Sequence, residues 1–289
     1  MIYEDKRNWP EYNEQLVRRG WFYLSTGFLE HWDKELEDMN QGKNGRPFKY
    51  PDTFIQFSGL MYTFLHLPYR QLEGYLQALS GFIPELRSAD YTTLWQRITK
   101  IKLNVPIPEN DIVVAVDSTG MKVTNRGDWM REKHGVEHKG WIKVHIAVDA
   151  KTRKPVTFEI TDERTTDHEM VKPLLEKLNL EDALMDGAYD KEDVFKFLKE
   201  KGVGDPGIKI RKNAIVKAGS ERAESVLQFQ KYGYNSWRIV HQYGRRWAAE
   251  SVFSAIKRIF GETVRAKSTE QMFNEVRRML AFYSIILSV

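Results

Sequence analysis

The sequence predicts an α/β protein in which a mixed sheet, made of an antiparallel meander plus parallel strands, is flanked by helices and follows an N-terminal all-α domain. Apolar residues recur at three- and four-residue spacing over the first hundred residues, which is typical of amphipathic helices. β-Branched runs typical of strands begin after residue 110 and then alternate with helical patterns. The proline-marked connector Asn104-Val-Pro-Ile-Pro108 separates the two patterns. We therefore predict one domain over residues 1–104 and a second over 105–289.

The first domain is predicted to be a set of helices. Apolar periodicity places them at 21–38, 53–65, 69–80 and 92–101. Asp90 is a candidate N-cap for the last of them. Three short helices in series are typical of a helix-turn-helix-like DNA-binding unit, for which Arg70, Arg87 and Arg97 are the candidate contacts. A helical bundle that binds no DNA is the alternative.

The second domain is predicted to begin with a meander and to continue with alternating elements. Its first three strands are placed at 112–116, 142–148 and 156–161. The pattern then predicts, in order, a helix at 167–178, a short strand ending at Asp186, a helix at 191–201, a strand at 208–210 and a helical region through Glu250. This order, β-β-β-α-β-α-β-α, is similar to that of a ribonuclease-H-like fold.

Charge is distributed unevenly along the chain. The net charge is +4, yet residues 203–289 hold 15 Lys or Arg against 7 Asp or Glu. The excess of positive charge is therefore C-terminal, which suits phosphate neutralisation along a nucleic acid. Solvated helix faces are the alternative.

Composition also narrows the classes of function. The absence of cysteine excludes disulfides, thiolate catalysis and zinc sites built on cysteine. The N-terminus lacks an apolar signal core, and the apolar run Met279–Leu287 is too short to span a bilayer, so we expect a cytoplasmic protein without a membrane partner. The segment Gly202–Lys209 lacks the Gly-Lys-Ser/Thr ending of a phosphate-binding loop, so we expect no nucleotide cofactor.

Two aspartates follow apolar runs that are typical of core strands. Asp117 follows Ile112-Val-Val-Ala-Val116, and Asp186 follows Ala183-Leu-Met185. Each is predicted to lie where a strand ends, and adjacent strand ends bring together carboxylates that are distant in sequence. For either residue alone, an aspartate that caps a turn is the alternative.

Four polar residues recur at offsets of three, four and seven in a strongly helical segment: Tyr243, Arg246, Glu250 and Lys257. At about 100° per residue, these offsets place them in one narrow stripe. Apolar residues are predicted on the opposite side of the helix, namely Ala248, Val252, Ala255, Ile256 and Ile259. An ordinary amphipathic helix with an exposed Arg246–Glu250 ion pair is the alternative.

The spacing Tyr243-x2-Arg246-x3-Glu250-x6-Lys257 resembles the Tyr-Arg-Glu-Lys signature of insertion-sequence DDE transposases. Other segments similar to motifs of that family are Val116-Asp117-Ser-Thr-Gly120 (first-aspartate box), Trp141-Ile-Lys143-x-His145-x-Ala-Val-Asp149 (following strand), Met185-Asp186-Gly-Ala-Tyr-Asp190 (second-aspartate box) and Leu67-Pro-Tyr-Arg-Gln-Leu-Glu-Gly74 (N-terminal helical region). The resemblance covers residues 50–289 and implies a DNA transposase whose second domain is a ribonuclease-H-like DDE catalytic domain.

The resemblance also implies a metal-dependent active site. Asp117, Asp186 and Glu250 are then the catalytic residues and the ligands of Mg²⁺ or Mn²⁺, because carboxylate oxygens suit hard divalent cations. Two ions held about 4 Å apart serve an in-line displacement at phosphorus. We expect Asp117 to be shared by both ions, and Asp186 and Glu250 to complete one site each.

The same resemblance implies DNA as the partner. Tyr243, Arg246 and Lys257 are expected to contact the DNA backbone, with aromatic packing and charge balance for Glu250 as their alternative roles. The substrates are then double-stranded DNA with the inverted repeats of transposon ends, and target DNA. A homodimer on DNA is expected because two ends must be brought together. When bound to DNA, the protein is expected to be associated with the nucleoid.

Two other functions are compatible with these residues. One is a catalytically silent, transposase-derived DNA-binding protein, and the other is a ribonuclease-H-like nuclease that acts on RNA–DNA hybrids. The 64-residue step from Asp186 to Glu250 leaves little room for the large inserted β-domain that some members of the family carry there. The use of a DNA hairpin, which accompanies that insertion, is therefore left open.

Overall fold

A computed structural model of the chain describes residues 8–101, 103, 105–123 and 141–288. The chain divides into two compact units, one formed by Met1–Leu103 with Ala281–Val289 and the other by Asn104–Leu280. The first unit is helical, and the second contains the sheet. Within the described ranges, no helix has the length and apolar character needed to cross a lipid bilayer.

The first unit consists of helices around an aromatic core. They are α1 (Trp9–Phe22), α2 (Trp32–Asn40), α3 (Asp52–Phe64), α4 (Tyr69–Phe82) and α5 (Tyr91–Ile98). Buried Trp32 packs against Phe28 and Phe54, with ring centroids 6.3 and 5.1 Å away. The prediction of one helix over 21–38 is wrong, because a turn and the short 3-10 helix Gly27–Leu29 separate α1 from α2.

Helix α5 begins at the predicted N-cap, Asp90. Its carboxylate accepts hydrogen bonds from the backbone N–H groups of Thr92 and Thr93 at 2.9 and 3.0 Å. Together with bonds from both threonine hydroxyls, these hold the pKa of Asp90 well below its usual range. Arg97, a candidate groove contact, instead lies 2.5 Å from Asp52 Oδ1 with only 18% of its side chain exposed. Arg97 therefore ties α5 to the start of α3.

The second unit is built on a mixed sheet. Its strands are β1 (Ile112–Lys122), β2 (Trp141–Asp149), β3 (Pro155–Asp162), β4 (Leu180–Met185) and β5 (Gly207–Ile208), in the order β3-β2-β1-β4-β5. The first three form an antiparallel meander, β4 is parallel to β1, and β5 is parallel to β4. This arrangement confirms the predicted fold class, a ribonuclease-H-like mixed sheet.

Two helices connect the later strands of the sheet, and three more follow β5. They are α6 (Val171–Leu175), α7 (Glu192–Glu200), α8 (Ala223–Val240), α9 (Trp247–Phe260) and α10 (Thr269–Ile286), with short 3-10 helices at His168–Met170, Gly187–Tyr189 and Tyr243–Arg246. The helical region predicted through Glu250 is present, but it is divided into α8, a 3-10 helix and α9. Gly233 interrupts α8 with φ 73° and ψ 167°, and Gln242 follows α8 with φ 45°. These left-handed conformations stop helical hydrogen bonding before α9 begins.

Strand β1 is longer than predicted, so Asp117 lies inside the strand and not at its end. The antiparallel partner β2 pairs with β1 from Val114 as far as Lys122, which lies opposite Trp141. Ser-Thr-Gly120, which reads as a turn in the sequence, therefore continues the strand. A Cβ at Gly120 would lie 2.8 Å from Trp141 Cε3, so a larger residue here would force the Trp141 ring to shift.

A polar cluster is buried around His145 of β2. Its Nε2 lies 2.9 Å from Thr161 Oγ1, and its Nδ1 lies 3.5 Å from Asp167 Oδ1. The Lys143 ammonium is 2.9 Å from the same Asp167 oxygen. Burial lowers the pKa of His145 to about 4; Asp167 opposes this shift and Lys143 adds to it. The ring is therefore neutral at neutral pH.

This neutral histidine predicts that the free energy of unfolding falls as the pH drops from 6.5 to 4. The ordinary histidine pKa is 6.5 and the folded value is about 4, so in that window the unfolded chain binds the extra proton. The contribution of neutral His145 to the free energy of unfolding is complete above pH 6.5, and about 3 kcal/mol of it is lost near pH 4. Urea denaturation at pH 7, 5.5 and 4.5 measures this fall in the free energy of unfolding. His145→Gln should show a shallower fall, and the same pH dependence in both proteins would contradict the assignment.

Helix α9 ends at Gly261, whose φ of 82° and ψ of 170° suit glycine alone. We expect Gly261→Ala to lower the free energy of unfolding by about 1–3 kcal/mol, because the new side chain forces a strained backbone. Gly204→Ala is the matched control, since Gly204 is exposed and no described atom lies within 4 Å of an added Cβ. Thermal denaturation compares the two, and an unchanged Tm for Gly261→Ala would rule out this strain.

Candidate functional site

Asp117 and Asp186 lie side by side on neighbouring strands, at the carboxyl end of β4. Parallel pairing of β1 with β4 aligns Val114 with Ala183 and Ala115 with Leu184. Two residues further along each strand, the same register brings Asp117 level with Asp186. Neighbouring strands are about 4.8 Å apart, so two carboxylates that are 69 residues apart in sequence become neighbours.

The Asp117 carboxylate is mostly buried, with 19% of the side chain exposed. Its Oδ1 accepts a hydrogen bond from Ser118 N–H at 2.9 Å, and its Oδ2 lies 3.3 Å from Arg246 Nη1. Burial raises the pKa of Asp117, and the nearby carboxylates of Asp186 and Glu250 raise it further, while the Ser118 N–H and Arg246 oppose them. The charges of Asp186 and Glu250 therefore both act on Asp117.

Backbone contacts fix the position of Asp186 at the end of β4. Its Oδ1 accepts a hydrogen bond from Ala188 N–H at 2.8 Å. The carbonyl of the preceding residue, Met185, accepts from Lys209 N–H at 3.2 Å and from the Tyr243 hydroxyl at 3.1 Å. Asp186 is thus held on both sides by the chain around it.

The turn after Asp186 is anchored by two arginines. The Asp190 side chain is fully buried and binds the Arg222 guanidinium through both oxygens, with Nη2–Oδ2 at 2.7 Å. Arg211 donates from its side chain to the carbonyls of Gly187 and Ala188 at 2.6 and 3.2 Å. The sequence reasoning missed Arg222, because a contact across 32 residues leaves no periodic signal.

Arg246 connects the third carboxylate to the first. Its guanidinium binds the Glu250 carboxylate through Nη2 and approaches Asp117 through Nη1. The side chain of Arg246 is 19% exposed and that of Glu250 is 46% exposed. Glu250 therefore lies at the open border of the site, beside the more buried Asp117.

Lys257 reaches the same strand from α9. Its Nζ lies 2.8 Å from the hydroxyl of Thr119, a residue that the sequence reasoning did not single out. The buried residues of α9 are Ala248, Ala249, Val252, Phe253, Ile256 and Phe260. At about 100° per residue they centre roughly a third of a turn from Glu250 and Lys257. Three of the five residues predicted for the apolar face, Ala248, Val252 and Ile256, are buried, but the buried face lies closer to the polar residues than the opposite side of the helix. The polar residues border the face that packs on the sheet.

Tyr243 lies in the 3-10 helix before α9 and is buried, with 8% exposed. Its ring packs against Trp237 at 4.8 Å, and its hydroxyl donates to the Met185 carbonyl. Burial is the main cause that raises the pKa of Tyr243 to about 12. The geometry gives Tyr243 a supporting position beside Asp186, and its contact with DNA stays a prediction.

The donor set fits a divalent cation in its chemistry. Asp117, Asp186 and Glu250 offer carboxylate oxygens, which Mg²⁺ prefers. Among the described residues, no three acidic or histidine side chains are gathered closely enough to hold an ion. Glu250 is bound to Arg246, and its side chain is 46% exposed.

Comparisons with known proteins show the family of this chain. Two family models, each described as a transposase DDE domain, match residues 17–126 and 108–285. The second covers more than half of the chain and includes Asp117, Asp186 and Glu250. Among solved structures, the cryo-EM structure of the piggyBac transposase synaptic complex with hairpin DNA is similar with a TM-score of 0.40 and 10% identity, over 95% of this chain and 74% of that one.

The buried Asp190–Arg222 pair predicts a large effect of removing one partner. Arg222→Gln leaves the Asp190 carboxylate buried without its cation, so we expect the free energy of unfolding to fall by about 3 kcal/mol. Lys199→Gln is the control, because it breaks an exposed ion pair with Glu221 that should contribute little. Chemical denaturation compares both variants with the natural protein, and equal losses would contradict a special role for the buried pair.

Proposed function

The chain belongs to the transposase DDE domain family, and we propose that it cleaves DNA at transposon ends and transfers the freed 3′-hydroxyl into target DNA. The pairing of β1 with β4 carries this proposal, because it brings Asp117 level with Asp186. Arg246 brings Glu250 to the same place. Three carboxylates that can bind metal ions, with arginine and lysine beside them, are the groups needed for an in-line displacement at a phosphodiester.

We assign Asp117, Asp186 and Glu250 as the catalytic residues and as the ligands of Mg²⁺ or Mn²⁺, with Asp117 shared between two ions. When bound, two divalent cations supply activation of the attacking oxygen and stabilisation of the leaving oxygen. Asp117 on β1 and Asp186 directly after β4 are the two carboxylates held by the sheet. Glu250 on α9 is the more exposed one. In the cleavage step, water attacks a phosphodiester at the transposon end and the 3′-oxygen leaves as the freed 3′-hydroxyl. In the joining step, that hydroxyl attacks a phosphodiester of the target and displaces the 3′-oxygen of the target strand, so one set of residues serves both.

Arg246 and Lys257 are the proposed phosphate contacts. When Glu250 turns away from Arg246, the guanidinium becomes available for a bidentate contact with a phosphate. Lys257 is held by Thr119 at the same edge of β1 and offers a compact charge. We assign Tyr243 chiefly to positioning, because its buried hydroxyl supports the Met185 carbonyl next to Asp186.

The proposed substrates are the inverted repeats at the transposon ends and the target duplex. Two ends take part in one transposition event, so we propose a homodimer on DNA. The net charge of +8 over residues 203–289 favours binding to the DNA backbone.

Mg²⁺-dependent cleavage and joining of a labelled duplex that carries the element's own flanking repeats tests this function. The natural protein is expected to nick the duplex and join the end. Glu250→Gln removes a charge while nearly preserving shape, so it should lose several kcal/mol of transition-state stabilisation, roughly a thousandfold in rate. Its affinity for the ends should persist.

Glu262→Gln is the matched control, because Glu262 lies just beyond α9 and pairs with Lys122 outside the carboxylate group. It is expected to keep the natural rates. An RNA–DNA hybrid serves as a second substrate. Cleavage of the hybrid without joining of DNA would identify a ribonuclease-H-like nuclease, and binding of the ends without any cleavage would identify a silent DNA-binding protein. Either result refutes transposition by this chain.

A further inference from the structure

Lys209 directly follows strand β5 and lies at the same end of the parallel strands as Asp186. Its pairing with β4 aligns Leu184 with Gly207 and Met185 with Ile208, so the next residue, Lys209, is level with Asp186. The N–H of Lys209 donates to the Met185 carbonyl at 3.2 Å, which fixes its backbone there. Asp117, Asp186 and Lys209 therefore form one row across three neighbouring parallel strands, with Lys209 about 5 Å beyond Asp186.

The ammonium group of Lys209 has no carboxylate partner among the described residues. It lies 5.3 Å from the ring centroid of Tyr234, and the lysine is exposed. By contrast, Arg222 is paired with Asp190, and Arg246 with Asp117 and Glu250. A cation held against an aromatic face keeps its full charge for an external anion.

The ring that supports Lys209 is itself fixed to the carboxylate site. Tyr234 follows the interruption of α8 at Gly233 and stacks on Trp237, with centroids 6.1 Å apart and an interplanar angle of 28°. Trp237 packs in turn against Tyr243, whose hydroxyl donates to the Met185 carbonyl. Lys209 is therefore connected to Asp186 by its backbone and by a chain of aromatic rings.

The segment that begins at Lys209 has a net positive charge. Residues 209–240 contain seven Lys or Arg, two Glu and no Asp. Lys212 and Lys231 are exposed in this segment, and Lys231 lies over the exposed ring of Tyr232 at 5.0 Å. Such a surface is complementary to the phosphates of a nucleic acid.

We infer that Lys209, supported by Tyr234, binds a backbone phosphate of the double-stranded DNA that enters the carboxylate site, on the β5 side of Asp186. This assignment rests on the proposed function, because it takes the DNA at the carboxylates as the substrate. Arg246 and Lys257 are the proposed phosphate contacts on one side of the aspartates. Lys209, which follows the edge strand β5, adds a contact on the other side. The DNA strand is then held on both sides of the reacting phosphate.

The salt dependence of DNA binding tests this inference independently of catalysis. Each phosphate contact contributes about 0.9 to the slope of log K against log salt concentration. Lys209→Gln should therefore reduce the magnitude of that slope by about one and weaken binding roughly tenfold near 0.1 M salt, for any duplex sequence. Lys209→Arg should restore both values. The assay is fluorescence anisotropy with a labelled duplex that carries the flanking repeats, at several salt concentrations.

A control variant separates this contact from general charge. Lys196→Gln removes an exposed charge on α7 and should leave the slope unchanged. A slope unchanged by Lys209→Gln, or reduced equally by Lys196→Gln, overturns the inference, as does natural protein that binds no duplex. If the natural protein binds and the slope falls as expected, but no nicking occurs, the proposed function fails and the phosphate contact stands.

Discussion

The parallel pairing of β1 with β4 is the constraint on which the candidate site depends. The aligned residues Ala115 and Leu184 are fully buried, so the register is set by the apolar core. A slip by one residue would turn buried side chains toward the opposite face and would also take Asp117 out of level with Asp186. Core packing therefore fixes the spacing of two charged groups, which by themselves would repel one another.

That repulsion is offset by the surroundings of the site. Burial and the neighbouring carboxylates raise the pKa of Asp117, while Arg246 and the N–H of Ser118 stabilise its charged form. On the other strand, the Asp190–Arg222 pair anchors the turn that follows Asp186. Contacts just outside the carboxylates therefore hold these like charges close together. Proteins commonly lose some local stability in this way at functional sites.

The sequence predicted the sheet and its helices because apolar periodicity and β-branched runs are local signals. It did not predict the extent of β1, because Ser-Thr-Gly120 reads as a turn until the long partner β2 is known to lie beside it. The break at Gln242, which separates α8 from Tyr243 and the helices that follow, depends on a left-handed backbone that glutamine rarely adopts. The Asp190–Arg222 contact depends on tertiary structure alone. Motif resemblance indicated the family correctly, and the roles of single site residues stay predictions.

The positive charge of the C-terminal region has two different physical uses. Arg222 and Arg246 are already bound by carboxylates, and Arg211 by backbone carbonyls of the turn after Asp186. Lys209 is held against an aromatic ring and has no acidic partner among the residues that the structure describes. Binding of DNA releases counterions only where the protein's cations neutralise phosphates. The number of phosphates that the segment can neutralise is therefore smaller than its net charge indicates, because some of its arginines already bind groups of the protein.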